Sequence, residues 1–104
     1  MVATKRQDAV SLRGKTALVT GASGGLGVHF ARELAARGCN LVLVARRDAL
    51  LHERRRVIEA ALGVLVEGIA MDLATPEAPR QLYDRLGSAG TQIDVLVNNT
   101  GGGL

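Results

Sequence analysis

The sequence contains almost no aromatic residues and a single cysteine. Its 104 residues include one Phe, one Tyr, no Trp and one cysteine, Cys39. One cysteine cannot form an internal disulfide, and Cys39 has no neighbouring His or Asp cluster that would hold a metal. Its position at the start of an apolar run predicts a buried structural thiol. Without aromatics, the core must be built from Val, Leu, Ile and Ala, which is typical of a parallel sheet covered by helices.

Long apolar runs are also missing. No stretch approaches the roughly 20 residues of a membrane-spanning helix, and residues 1–11 lack the apolar middle of a signal peptide. These absences favour a cytoplasmic protein. The net charge of +3 leaves nucleic acid open as a partner. However, the arginines are spread along predicted helices and almost no aromatic side chains are available for base stacking, so we expect no nucleic-acid partner.

Strand and helix patterns alternate along the chain. After a loose leader expected at residues 1–13, we place one domain over residues 14–104. Periodicity and turn residues predict strands at 15–20, 40–45, 64–70 and 93–98, and helices at 25–37, 49–62 and 75–88. Short right-handed crossovers turn this order into a parallel sheet with helices on both faces. The predicted fold class is therefore α/β, a three-layer Rossmann-type arrangement with strand order 3-2-1-4.

Local signals refine the predicted helices. Leu26, Phe30 and Leu34 are spaced by four residues and share one face of the first helix, with Ala31 and Ala35 beside them. Asp48 is expected to cap the second helix. The hydroxyl of Thr75 is expected to cap the third, ahead of a proline in its first turn.

The glycine-rich loop at residues 20–27, TGASGGLG, is the most informative segment. It follows a strand-like run and precedes a helical pattern, which is how a chain offers backbone N–H groups to a phosphate. Gly21 permits a tight turn, Gly25 leaves room for the phosphate, and Gly27 lets the helix pack closely on the sheet. Ser23 can add a hydroxyl donor. The segment predicts a dinucleotide site.

The end of the second strand selects between the two nicotinamide dinucleotides. An acid there favours the 2′-hydroxyl of NAD, whereas an arginine favours the 2′-phosphate of NADP. Arg46 and Arg47 occupy this place, and no acid appears before Asp48. We therefore expect NADP(H) to be favoured over NAD(H), with Arg46 as the principal contact and Arg47 as its helper. The alternative is that both arginines are simply solvated at a helix start.

Four motifs together resemble the amino-terminal half of the short-chain dehydrogenase/reductases, over about residues 12–102. They are Gly14-Lys15, the T-G-x-x-x-G-x-G loop, Asp72-Leu73 after the third strand, and Asn98-Asn99-Thr100-Gly101 after the fourth. The resemblance implies that Asp72 binds the adenine, with the Leu73 backbone beside it, and that Asn98 lines the cofactor cleft. The implied cofactor contacts are Gly21, Ser23, Gly25, Leu26, Gly27, Arg46, Arg47, Asp72, Leu73 and Asn98. The alternatives are a helix cap or turn acid at Asp72 and an ordinary strand-to-turn asparagine pair.

The family's catalytic tyrosine, lysine and serine have no counterpart here. The one tyrosine, Tyr83, has Gly87 rather than lysine four residues later, so it is expected to be structural. The resemblance implies the cofactor-binding portion of an NADP(H)-dependent oxidoreductase that interconverts a carbonyl and an alcohol, similar to ketoacyl or steroid reductases. We expect the protein to form a homo-oligomer and to bind a small carbonyl or alcohol substrate only if a carboxyl-terminal half of the family's fold is also present. The alternatives are a non-catalytic nucleotide-binding module and a non-functional truncated product.

Overall fold

The computed structural model describes residues 11–99 and contains one four-stranded parallel sheet with helices on both faces. The elements in chain order are β1 (Thr16–Thr20), α1 (Gly25–Ala36), β2 (Asn40–Ala45), α2 (Asp48–Leu62), β3 (Val66–Ala70), α3 (Ala78–Ser88) and β4 (Val95–Val97). The strand order β3-β2-β1-β4 confirms the predicted Rossmann-type α/β fold. Within this part of the chain, no helix is both long enough and apolar enough to cross a membrane. Residues 1–10 of the expected leader, together with Thr100 and Gly101, lie outside the described residues.

Strand β2 lies at the centre of the sheet, paired with β1 on one side and β3 on the other. Its residues 41–45 are all buried. Side chains alternate along a strand, so Leu41 and Leu43 pack beneath α1 and α2, whereas Val42 and Val44 pack on the face covered by α3. We call these two sides the α1/α2 face and the α3 face. The uninterrupted apolar run of β2 is thus explained by cover on both faces.

Helix α1 packs on the sheet through its small residues. Gly27, Ala31 and Ala35 are its buried positions, whereas Leu26 is 58% exposed and Phe30 is 37% exposed. Of the expected Leu26-Phe30-Leu34 row, Leu34 packs against the core and the other two are exposed, whereas Ala31 and Ala35 beside the row are buried. Small side chains allow the helix axis to approach the sheet closely, and the larger side chains are then left outside the contact.

The expected caps of the second and third helices were wrong. Arg47 occupies the N-cap position of α2, with no side-chain cap, and Asp48 is the first helical residue, 3.3 Å from His52 Nε2. Helix α3 begins at Ala78, with Glu77 at its N-cap position, and the Thr75 hydroxyl donates instead to the Asp72 carbonyl, at 3.1 Å. Pro79 lies in the first turn of α3, where its missing N–H removes no helical hydrogen bond.

Strand β4 is shorter than expected and lies at the sheet edge. It pairs with β1 through residues 95–97, and Leu96 is 63% exposed. Asp94 fixes the start of this pairing, because its N–H donates to Thr16 O at 2.8 Å and its Oδ2 accepts the Thr16 N–H at 2.9 Å. On the α3 face, β4 and α3 enclose an apolar groove whose lining includes Leu18, Leu82, Tyr83, Leu86, Ile93 and Leu96.

Cys39 is fully buried in the core beneath α1, as predicted. Burial raises the pKa of its thiol, and the Asp94 carboxylate raises that pKa further. The thiol therefore stays protonated near neutral pH, in which form it is a poor nucleophile and a small apolar packing group.

Candidate functional site

A cleft of about 600 Å³ opens at the carboxyl ends of the parallel strands. Strands β1, β2 and β3 all end at this edge, so the loops that follow them converge there. Its lining consists of Gly21, Ser23, Gly24, Val44, Ala45, Arg46, Arg47, Leu50, Met71, Asp72, Leu73, Ala74 and Asn99. Open α/β sheets bind ligands at this edge, and the volume is typical of small-molecule sites.

The cleft brings together residues from three of the sequence motifs. Of the sequence-predicted cofactor contacts, the lining contains Gly21, Ser23, Arg46, Arg47, Asp72 and Leu73. Gly25, Leu26 and Gly27 do not line the cleft but form the first turn of α1, directly after Gly24, which does. Asn98 lies apart from them, since it lines the apolar groove on the α3 face. Its neighbour Asn99 lines the cleft.

The glycine loop has no room for side chains at two positions. Gly21 has φ +63°, and a Cβ there would overlap the carbonyl oxygen of Asn99. A Cβ on Gly27 would overlap the carbonyl oxygen of Gly21 and lie 3.1 Å from Ala22 Cα. The loop is also tied to β2, because the Ala22 N–H donates to Val44 O at 3.1 Å. These contacts hold the start of α1 against the carboxyl ends of the strands.

The amino terminus of α1 is suited to an anion. The first N–H groups of an α-helix have no partners within the helix, and the helix dipole makes this end positive. Gly24, at the N-cap position, makes no side-chain cap, and the first turn of α1 contains no acid. Helix α2 differs, because Asp48 places a carboxylate in its first turn. The amides of residues 25–27 therefore remain available to an anionic ligand.

Two arginines supply positive charge on the neighbouring strand. Arg46 and Arg47 directly follow β2, are exposed, and line the cleft. The Arg47 backbone is part of the helix start, since its carbonyl accepts the Leu51 N–H at 2.9 Å. A guanidinium can bind a phosphate through two parallel hydrogen bonds, so this edge of the cleft can hold a second anionic group.

Asp72 lies in a tight turn after β3. Its Oδ1 accepts the Ala74 N–H at 2.9 Å, so the carboxylate stabilises the turn, as the turn-acid alternative requires. The same side chain lines the cleft and is exposed. A carboxylate has two oxygens and can accept several hydrogen bonds, so stabilising the turn leaves capacity for a ligand donor.

Thr20 connects the ends of β1 and β4. It is a polar residue within the core, only 4% exposed. Its Oγ1 accepts the Asn99 N–H at 2.8 Å and lies 3.1 Å from Asn98 Oδ1, to which the hydroxyl can donate. This hydroxyl therefore positions the asparagine pair beside the glycine loop.

Replacing Thr20 by Val should lower the free energy of unfolding by about 1–3 kcal/mol, because the isosteric side chain leaves the Asn99 N–H without its acceptor. Urea unfolding followed by circular dichroism measures this change. Thr20→Ser retains the hydroxyl and should lose less stability than Thr20→Val. A greater loss in Thr20→Ser than in Thr20→Val would show that packing of the methyl group, which Val retains, matters more than the hydroxyl.

Sequence reasoning missed several residues of the cleft. They are Gly24, Val44, Ala45, Leu50, Met71, Ala74 and Asn99. For the asparagine pair a signal existed: side chains alternate along a strand, so Asn98 shares the α3 face with Leu96, and Asn99 falls on the other side. No comparable sequence signal indicated Leu50 or Met71, since their approach to the cleft depends on how α2 and the turn after β3 pack.

Comparison with known proteins identifies the family. Residues 15–103 match the family model described as short chain dehydrogenase. A very-long-chain 3-oxoacyl-CoA reductase of Kluyveromyces lactis is 36% identical over 89 residues, covering 86% of this chain and 26% of that protein. The chain thus spans about a quarter of the length of this curated relative.

Solved structures agree with this match. L-Sorbose reductase from Gluconobacter frateurii, complexed with NADPH and L-sorbose, superposes with a TM-score of 0.82 at 39% identity, over 89% of this chain and 35% of that one. A short-chain dehydrogenase from Sphingobium yanoikuyae in complex with NADPH gives a TM-score of 0.71 at 36% identity, over 79% of this chain and 32% of that one. The glycine loop, the strand order and the cleft are consistent with these matches. The chain belongs to the short-chain dehydrogenase family of oxidoreductases, which bind a nicotinamide dinucleotide.

Proposed function

We propose that this chain binds NADP(H) and forms the cofactor-binding part of an oxidoreductase that interconverts a carbonyl and an alcohol. One observation carries the proposal: the uncapped, acid-free start of α1 follows directly from the loop that lines the cleft, and two arginines line the same cleft. A dinucleotide with a diphosphate and a 2′-phosphate presents two anionic groups, for which the start of α1 and the arginines are suitable partners.

Each group of the cofactor has a partner in this proposal. The amides of residues 25–27 hold the diphosphate, with the Ser23 hydroxyl as an additional donor. Arg46 binds the 2′-phosphate, assisted by Arg47. Asp72 accepts a hydrogen bond from the adenine amine, with the Leu73 backbone beside the base. We assign the asparagine contact to Asn99, because Asn98 lines the groove on the α3 face.

The named relatives support the choice of cofactor and reaction class. Two structural neighbours contain NADPH, one of them with the ketose L-sorbose, and the curated relative is named as a 3-oxoacyl-CoA reductase. The names of the sorbose reductase and of the 3-oxoacyl-CoA reductase describe the reduction of a ketone. We extend that reaction class, but no particular substrate, to the protein of which this cleft is part.

A second candidate function is nucleotide binding without catalysis. It is favoured by the sequence, in which the one tyrosine, Tyr83, has no lysine four residues later. Tyr83 is also 74% exposed and lines the apolar groove rather than the cleft. The proposed role of this chain is to bind the cofactor, because the described residues that line the cleft include no Tyr, Lys or His to give a proton to a carbonyl.

Titration calorimetry of the purified chain with NADPH and with NADH tests the proposal. We expect saturable binding of NADPH, tighter than that of NADH by at least about tenfold, because a bidentate arginine–phosphate pair is among the stronger polar contacts. Equal affinities would remove the role given to Arg46. A chain that is folded by circular dichroism but binds neither dinucleotide would contradict the proposed function itself.

A further inference from the structure

The turn that follows β3 is closed by three hydrogen bonds. The Thr75 N–H and hydroxyl both donate to the Asp72 carbonyl, at 3.3 and 3.1 Å, and the Ala74 N–H donates to Asp72 Oδ1 at 2.9 Å. Asp72, Leu73 and Ala74 line the cleft, whereas Thr75 does not. The conformation of the lining segment therefore depends on a residue outside the cleft.

Both ends of this turn are attached to fixed parts of the fold. At its start, the Met71 N–H donates to Ala45 O at 2.9 Å, which places the turn next to the residue before Arg46. At its end, the Ala78 N–H donates to Thr75 O at 3.2 Å, and Ala78 is only 1% exposed. Thr75 also precedes a proline, which restricts its backbone to extended conformations. Thr75 therefore links the start of α3 to the Asp72 backbone.

The Asp72 carboxylate stands out electrostatically. It is the only acid among the described residues that line the cleft, and the same lining contains the two arginines, Arg46 and Arg47. An ionised carboxylate is negatively charged and therefore repels phosphates. Because it accepts hydrogen bonds and donates none, it favours a ligand group that donates. Adenine presents an exocyclic amine as a donor, whereas hypoxanthine presents a carbonyl oxygen at the same position. With Oδ1 held by Ala74, the orientation of the carboxylate toward a base is set by the turn.

We infer that Thr75 is a positioning residue for base recognition, because its hydroxyl holds the turn from which Asp72 selects adenine over hypoxanthine. The inference rests on the proposed cofactor site and adds to it a residue that does not contact the cofactor. Without the hydroxyl, the only hydrogen bond from Thr75 to the Asp72 carbonyl is the longer and weaker one donated by the Thr75 N–H. The carboxylate then samples more orientations and discriminates less well between the bases.

The test compares NADPH with its hypoxanthine analogue, reduced nicotinamide hypoxanthine dinucleotide phosphate, by calorimetry on the full 104-residue chain. We expect the unsubstituted chain to prefer NADPH by about tenfold or more, the value of one hydrogen bond to a charged group. Thr75→Val should reduce this preference about three- to tenfold. Thr75→Ser keeps the hydroxyl and should keep the preference. Thr91→Val is the matched control, since Thr91 lines the apolar groove.

The outcomes separate the inference from the proposed function. A Thr75→Val chain that retains the full preference overturns the inference, and so does a variant that weakens the binding of both dinucleotides equally. If Thr75→Val does not fold, judged by circular dichroism, Thr75→Ala takes its place under the same expectations. An unsubstituted chain that binds NADPH without distinguishing the bases overturns the inference and leaves the cofactor site standing. A folded chain that binds neither dinucleotide overturns both.

Discussion

Replacing Arg46 by Asp should reverse the choice between NADPH and NADH. The substitution removes the proposed partner of the 2′-phosphate and puts a carboxylate where it can accept hydrogen bonds from a 2′-hydroxyl. A hydrogen bond to a charged group contributes about 1.5–3 kcal/mol, so NADPH affinity should fall at least about tenfold. The new carboxylate should also repel the 2′-phosphate and bind the 2′-hydroxyl of NADH. Together these effects should change the ratio of NADPH affinity to NADH affinity by about two orders of magnitude.

Arg56→Asp is the matched control for this experiment. Arg56 is an exposed arginine of α2, outside the lining of the cleft, and its substitution changes the net charge by the same amount. The control should leave the NADPH-to-NADH ratio within about twofold of the original, because an exposed charge outside the cleft is largely screened by salt. Equal effects of the two substitutions would show that only overall charge attracts NADPH.

Two glycines of the same helix turn should respond in opposite ways to alanine. Gly27→Ala should lower the free energy of unfolding by about 1–3 kcal/mol or more, because the new methyl group overlaps the Gly21 carbonyl oxygen. A Cβ on Gly25 meets no atom within 4 Å, so Gly25→Ala should leave the fold intact or stabilise it by about 0.5–1 kcal/mol. The methyl group would nevertheless occupy space proposed for the diphosphate, so NADPH affinity should fall more than about tenfold.

Gly87→Ala controls for the gain in helix propensity. Gly87 lies in α3, and a Cβ there also meets no atom within 4 Å. It should stabilise the chain about as much as Gly25→Ala and leave NADPH binding unchanged. Urea unfolding and calorimetry on the same samples separate the two effects. A Gly25→Ala chain that binds NADPH normally would show that the diphosphate does not approach the start of α1.

The sequence predicted the sheet order well because its signals are local and agree with one another. The apolar run of β2, the glycine loop and the turn residues each indicate the same alternation of strands and helices. The buried face of α1 was harder to predict, because Leu26 and Phe30 have the apolar spacing of a core face. Only the sheet geometry shows that the contact is made by Gly27, Ala31 and Ala35.

The candidate site could be predicted in part. Residues whose role depends on a motif, such as Gly21, Arg46 and Asp72, were found in the sequence and line one cleft. The sequence could not predict which of two nearby backbone groups a hydroxyl would hydrogen-bond. Thr75 was expected to cap a helix, but it bonds the Asp72 carbonyl because α3 starts three residues later. Such competition between local hydrogen bonds is decided by tertiary packing.

We propose that a nicotinamide dinucleotide phosphate lies across the carboxyl edge of this sheet, between the start of α1 and the end of β2. Titrating NADPH into the isotopically labelled chain and following its backbone amide resonances tests this most directly. We expect the largest shifts in the segments 23–27, 46–47 and 72–74. Shifts confined to the apolar groove of α3 and β4, with the glycine loop unaffected, would contradict it.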